Sequence, residues 1–367
     1  MSQPPAWPTF QATAARSGHH SSQQPPAEPL SCAWTFDTTS VGDDEWGIQG
    51  IGSGSPVVGD GVVYFTNDAG VVFALDAETG SQRWVYTDDE NVHTTTSPTL
   101  TEEILFVGID DTLYALDPET GAEKWSVTID GRSIHGSPTV IDDFVVISGG
   151  NVYGINQMSG DIAWVTETSG ETTTSPAGLG GTIYIVDDTE LQAIDVQDGS
   201  DIWTTNVDFE FVTTPVVDDT TVFVGGEDGS LVAIDANGGQ TRWTKEICNE
   251  IEAAPAVANG VVVVGNAGLW DEHNALYALD AQDGSIKWSF GDTRFSIQSA
   301  PVVVDETVIS GYEGRLYALD ISSGDENWSV KLRGNSLSAP AIANKTIFVE
   351  SEKQYLYALT TDTMSIS

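Results

Sequence analysis

Basic residues are scarce in this chain. Its 367 residues include 13 Lys and Arg against 55 Asp and Glu, a net charge of −42. So few cations exclude a nucleic-acid footprint, because phosphates are held by clustered Lys and Arg. They exclude docking on an anionic membrane surface for the same reason. Cysteine is almost absent as well. Cys32 and Cys248 stand far apart, which excludes a disulfide framework and any C-x-x-C metal pattern. No apolar run approaches the roughly 18 residues needed to cross a bilayer, so no direct membrane insertion is expected. The opening residues, MSQPPAWPTF, have neither the basic stretch nor the apolar core of an export signal, so the chain as written is expected in the cytoplasm. The G-x-S-x-G, H-E-x-x-H and P-loop patterns are missing. No sustained 3.6-residue periodicity predicts a helix.

The acidic excess is spread along the chain and falls mostly in turns. It predicts a surface adapted to molar salt, where charge repulsion is screened over about 3 Å at 1 M and dense carboxylates keep the molecule hydrated.

What the sequence has in abundance is one repeated unit. Short Ser-Pro or Ala-Pro steps, with Thr-Pro at one place, recur at Pro56, Pro98, Pro138, Pro176, Pro215, Pro255, Pro301 and Pro340, spaced 38 to 46 residues apart. Tryptophans recur in step at Trp84, Trp125, Trp164, Trp203, Trp243, Trp288 and Trp328, spaced 39 to 45 apart. Between these marks lie runs of four to six β-branched and aromatic residues, such as VVYFT and TVFVG, bounded by Gly and Asp turns. Such runs read as strands. Four strands per unit of about 40 residues, eight times over, predict an all-β, eight-bladed β-propeller of four-stranded antiparallel blades. The last unit, from Pro340, has no Trp after it, while Trp34 precedes the first unit. The expectation is that the strand around Trp34 completes the last blade and removes the open seam. The corresponding division is a leader at 1–31 lying on the propeller, the propeller at 32–362 and a tail at 363–367.

Within the unit the string Ala-x-Asp-x-x-x-Gly-x-x-x-Trp stands at Ala74–Trp84 and Ala115–Trp125, and again at 193–203, 233–243, 278–288 and 318–328; the third unit has Gly154 and Asn156 instead. This string resembles the tryptophan-docking motif of the pyrroloquinoline quinone (PQQ)-like eight-bladed propellers, and WPTFQATAARSG at 7–18 resembles their leader. The absence of paired Gly-His and Trp-Asp argues against a WD40 propeller. The resemblance implies that each motif Trp, with Trp34, docks its blade on the next through an indole N–H to backbone bond. The Gly supplies a positive φ in the turn, the Asp binds its own turn, and the small Ala is expected to leave room for the neighbouring indole.

Two departures from the period mark where function could sit. The step from Trp34 to Pro56 is 22 residues where 12 to 14 is usual, and it holds Trp46. The step from Pro255 to Trp288 is 33 residues where 26 to 28 is usual, and it holds Trp270 and His273. Both insertions are expected on one face, as a partner-binding rim. The channel mouth is the second candidate. Positions three and five before the prolines bring His93, His135, Glu252 and Gln298 to the entrance, as well as Glu171, Glu210 and Glu250 from successive blades. Three carboxylates could serve a hard cation such as Ca²⁺, which takes several oxygen ligands.

The preferred reading is a non-catalytic, monomeric scaffold with no cofactor, binding other proteins through one loop-rich face. The resemblance supports this through its shorter BamB-type members, and it implies an extracytoplasmic place if a leader has been removed. Two alternatives stand. One is an enzyme similar to the quinoprotein dehydrogenases, which use PQQ and Ca²⁺; no catalytic residue of theirs maps onto this chain. The other is a sensor of a small ligand or cation at the channel mouth.

Overall fold

The computed structural model describes residues 7–20, 23, 25–26, 30–38, 54–67, 69–88, 96–130, 132–170, 172, 174–247, 249–266, 274–293, 296–335 and 337–361. Among these residues there are thirty-two strands, β1 to β32 in chain order. They form eight antiparallel sheets of four strands each. Seven blades are continuous in sequence. The eighth joins β30 (Ala341–Ala343), β31 (Thr346–Ser351) and β32 (Tyr355–Thr360) to β1 (Ser31–Asp37), with Trp34 opposite Ala358. The ring is therefore closed by the strand around Trp34, as its displaced position in the repeat implied.

Each blade is apolar on both faces of its two middle strands. In the first blade β3 (Val62–Thr66) is buried throughout, as is β4 (Val71–Asp76) up to its last residue. Each face packs on a neighbouring blade, so these strands read as continuous apolar runs and not as alternation. The outermost strands alternate, because one side meets water.

The joints between blades follow one geometry. The Trp84 indole N–H donates to the Pro118 carbonyl at 2.9 Å, Trp164 to Val196 at 2.8 Å, and Trp288 to Ile321 at 2.8 Å. Trp34, Trp125, Trp203 and Trp243 do the same toward Ala77, Gln157, Ala236 and Ala281. In all seven the acceptor directly follows the motif Asp, or Asn156, of the next blade. The eighth Trp has no such partner, because the last blade has no motif. Trp328 donates instead to Pro26 of the N-terminal segment, at 3.1 Å.

The expected roles of Ala and Gly change here. The motif Ala lies opposite its own blade's Trp, as Ala74 does opposite Trp84. It is the motif Gly that carries the neighbour's ring. A Cβ on Gly80 or Gly121 would stand 2.6 or 2.7 Å from the ring of Trp34 or Trp84. The seven motif glycines also hold φ between +70° and +77°. One residue therefore meets two demands, a left-handed turn and contact with an indole face.

The motif Asp stabilises the turn below. Asp76 accepts the Thr79 N–H at 3.0 Å and pairs with Arg83 at 2.8 Å. The same pairing recurs between Asp117 and Lys124, Asp235 and Arg242, and Asp280 and Lys287. The bond from Arg83 and that from the Thr79 amide pull the Asp76 carboxyl down to about 2 from its ordinary 3.8. Exposed pairs of this kind contribute little singly, but they gather four of the chain's 13 cations onto the outer strands.

Trp84→Ala should cost about 3–5 kcal/mol, because it removes a packed indole and leaves a cavity between blades. Urea melts test this; a loss below about 1 kcal/mol would contradict a docking role. The depressed Asp76 carboxyl contributes stability that is present above about pH 4 and lost as pH falls toward 2. Asp76→Asn should therefore be less stable than the parent at neutral pH and lose less on acidification, as followed by thermal melting from pH 5 to about 2.

Candidate functional site

The innermost strand of each blade begins at the repeated proline, and eight such strands surround a channel. An unpaired edge facing that channel would leave N–H groups without partners. Residues 7–20 supply the partners. The N–H groups of Val58, Leu100, Gly178, Val217, Val257 and Val303 donate to the carbonyls of Trp7, Pro8, Ala14, Ala15, Ser17 and Gly18. Each donor stands two residues after a repeat proline. The segment thus runs across the centre of the ring and touches six blades through backbone alone. Its tight path needs positive φ at Gln11, Ala12, Arg16 and Gly18, which is unusual for residues other than Gly.

Arg16 fixes the segment to the third and fourth blades. It is fully buried, and its guanidinium donates to the carbonyls of Ser137, Pro138, Pro176 and Phe10 and to the hydroxyls of Thr139 and Thr9, at 2.7–3.2 Å. All six acceptors are neutral. Burial pushes the guanidinium down to about 9, so it remains charged at neutral pH. His19 and His20 are packed as well. His19 pairs with Val303, and His20 stacks on Trp7 with ring centres 5.8 Å apart. Burial pushes both imidazoles below their ordinary range.

Above this plug lies a cavity of about 370 Å³ whose lining includes Phe10 of the plug. Its wall is built from the residues just before the repeat prolines of all eight blades. Many of them are hydroxylic, and the hydroxyls join blades. Ser55 N–H donates to Ser97 Oγ at 2.9 Å, and Ser137 N–H to Ser175 Oγ at 2.9 Å. The Ser of the Ser-Pro step is thus a joint at the channel, complementary to the Trp joint further out.

Of the sequence candidates, His135, Glu252 and Gln298 line this cavity together, and Gln298 Nε2 donates to Glu252 Oε2 at 3.0 Å. Glu210 and Glu250 do not line it. Burial, then the neighbouring Glu252 and Glu227 carboxylates, raise the Glu250 carboxyl above its ordinary range. Among the described residues no group of three His, Cys, Asp or Glu could hold a metal ion. His93 and Glu171 lie outside the described residues, as do Trp46, Trp270 and His273. The described chain resumes after the first insertion at Gly54, in the cavity wall, and stops before the second at Asn266, whose carbonyl accepts the Ile297 N–H. Sequence reasoning missed Phe10, Glu352 and the Ser ring as parts of the wall. Only the Ser-Pro periodicity signalled any of them.

The family model described as outer membrane protein assembly factor BamB matches the chain at 11–128, 88–216, 187–316 and 294–366. The chain belongs to this family. No curated protein matches it. Among solved structures, BamB from Moraxella catarrhalis is similar over 90% of this chain and 100% of its own, with 18% identity and a TM-score of 0.73. A quinohemoprotein alcohol dehydrogenase from Comamonas testosteroni covers 99% of this chain and 82% of its own, with 16% identity and a TM-score of 0.80. A europium-containing methanol dehydrogenase covers 95% and 89%, with 16% identity and a TM-score of 0.77. At these identities the likeness is one of fold. Solved structures of this fold thus include both BamB and dehydrogenases, so the site must be judged on its own residues.

Arg16→Met should destabilise the protein by about 3–5 kcal/mol, since it leaves a ring of buried acceptors without donors. Guanidinium unfolding measures this. An unchanged midpoint would mean that the plug does not hold the blades.

Proposed function

We propose that this BamB-like propeller is a non-catalytic, monomeric scaffold that receives other proteins on the face where the cavity opens. The observation that carries the reading is the plug. With residues 7–20 bonded to the inner strands of six blades, the centre of the ring is a fixed floor and not a passage. A rigid platform with loops around its rim suits binding at low entropic cost. The two longest departures from the repeat, which hold Trp46, Trp270 and His273, are read as the rim of that face. Aromatic side chains in such loops make effective anchors. The family's printed description, an assembly factor, agrees with the reading, and its outer-membrane setting favours a place outside the cytoplasm.

The dehydrogenase alternative requires PQQ, a quinone carrying several carboxylates, with a metal ion beside it. The residues of the cavity do not suit that group. The described wall contributes the carboxylates of Glu252 and Glu352 and no Lys or Arg. A small neutral or cationic ligand matches this wall better, through its hydroxyls, Gln298 and Glu252, and is the second reading.

Immobilised wild-type protein and a Trp46→Ala/Trp270→Ala variant should retain different partners from a cell extract at molar KCl. Retention of the same proteins by both would contradict the rim. Titration with PQQ and Ca²⁺ in the same buffer should leave the quinone spectrum unchanged; a tight visible-absorbing complex would favour the enzyme.

A further inference from the structure

The outer edges of the blades are not alike. Seven of the eight outermost strands carry at least one charged side chain, as in β5 (Gln82–Thr87), β21 (Thr241–Glu246) and β1. Charges on an edge strand discourage further strand pairing. The outermost strand of the third blade, β13 (Ile162–Thr166), reads IAWVT and has none. It lies at the end of its sheet and pairs only with β12 (Asn151–Asn156), so its outward N–H and C=O groups face water.

The ion pair that covers the outer strand in four of the blades is also missing here. Arg83, Lys124, Arg242 and Lys287 stand immediately before their tryptophans and pair with the motif Asp. The third blade has Ala163 in that place and Asn156 for the Asp, and the fourth has Ile202. The result is an apolar edge. Met158, Ile162, Val165 and Ile202 are four of the six large hydrophobic residues exposed among the described residues. Meanwhile Trp164 is buried against the fourth blade and holds the strand in place.

We propose that this edge is a docking site for an extended segment of another protein, which adds to the third blade as an extra antiparallel strand and carries basic residues at its ends. Backbone bonds would come from the open edge of β13, and alternate apolar side chains would meet Ile162 and Val165. The demand for basic ends comes from the exposed acids bounding the strand, Asp161 before it and Glu167 after it. The same acids exclude a second copy of this chain. Antiparallel self-pairing would set Asp161 against Glu167 twice, and like charges directly opposite are destabilising.

The inference rests on the scaffold reading but uses a different surface, so failure here leaves the cavity face untouched and failure there leaves this edge untouched. The test uses the full chain and a labelled peptide of alternating Val and Thr flanked by lysine pairs. A comparison peptide of equal charge has its central Val replaced by Pro, which cannot donate to a ladder. Fluorescence anisotropy at moderate salt should give at least about tenfold tighter binding for the first peptide. Amide exchange should slow at 162–166 when it binds. Ile162→Ser/Val165→Ser, shown folded by thermal melting, should abolish the difference between the peptides. Equal binding of the two peptides to the wild type would mean charge attraction alone and would overturn the proposal. So would unchanged exchange at 162–166, or concentration-dependent dimerisation of the wild type through this edge.

Discussion

The structure depends on one contact: an indole laid over a glycine, with its N–H on the carbonyl three residues before that glycine. The contact gives a direction to blades that otherwise meet through apolar packing. The face-to-face packing of sheets is apolar and non-directional, and it would tolerate sliding. The indole bond fixes register at the outer radius, and in the Ser-Pro blades the bonds from Ser55 to Ser97 and from Ser137 to Ser175 fix it at the inner radius. Between the two, each blade can take only one position against its neighbour. This explains why Gly-x-x-x-Trp recurs in seven units and the proline step in all eight, while the strands between them vary freely among Val, Ile, Phe and Tyr.

Closure creates two vacancies, and the N-terminal segment fills both. The last blade lacks an outer strand, supplied by β1. It also lacks the motif that would receive Trp328, and Pro26 receives it instead. The same segment then continues through the channel as the plug. A chain with 13 cations buries one of them, Arg16, where only neutral oxygens reach it. The guanidinium fork can satisfy several carbonyls from different blades at once, which a Lys could not do with the same geometry. In a molecule of net charge −42 the placement also keeps the centre of the ring free of carboxylate repulsion.

The fold was legible because its signals repeat. Eight prolines and eight tryptophans in step left little choice of architecture, and the displaced Trp34 located the seam. The roles inside the motif were less legible. A small residue beside a large ring is ambiguous in sequence, and the structure gives the neighbour's ring to Gly80 and Gly121 where reading favoured Ala74. The plug was marked as a leader, but its path was not visible, since positive φ at Gln11, Ala12 and Arg16 has no sequence signal. At the candidate site, three of the residues three before the prolines, His135, Glu252 and Gln298, line one cavity. The floor came from Phe10, distant in sequence, and could not be found by periodicity. The uncharged edge at Ile162–Thr166 was present in the sequence all along; it becomes meaningful only when the topology places that strand outermost.

Native-state amide hydrogen exchange tests the central claim, that inner and outer joints make the ring one cooperative unit, most directly. The N–H groups of Val58, Leu100, Gly178, Val217, Val257 and Val303, all bonded to the plug, should exchange only through global unfolding and report a single free energy. Graded values that fall from blade to blade would contradict the account, as would early exchange of these six amides while the middle strands stay protected.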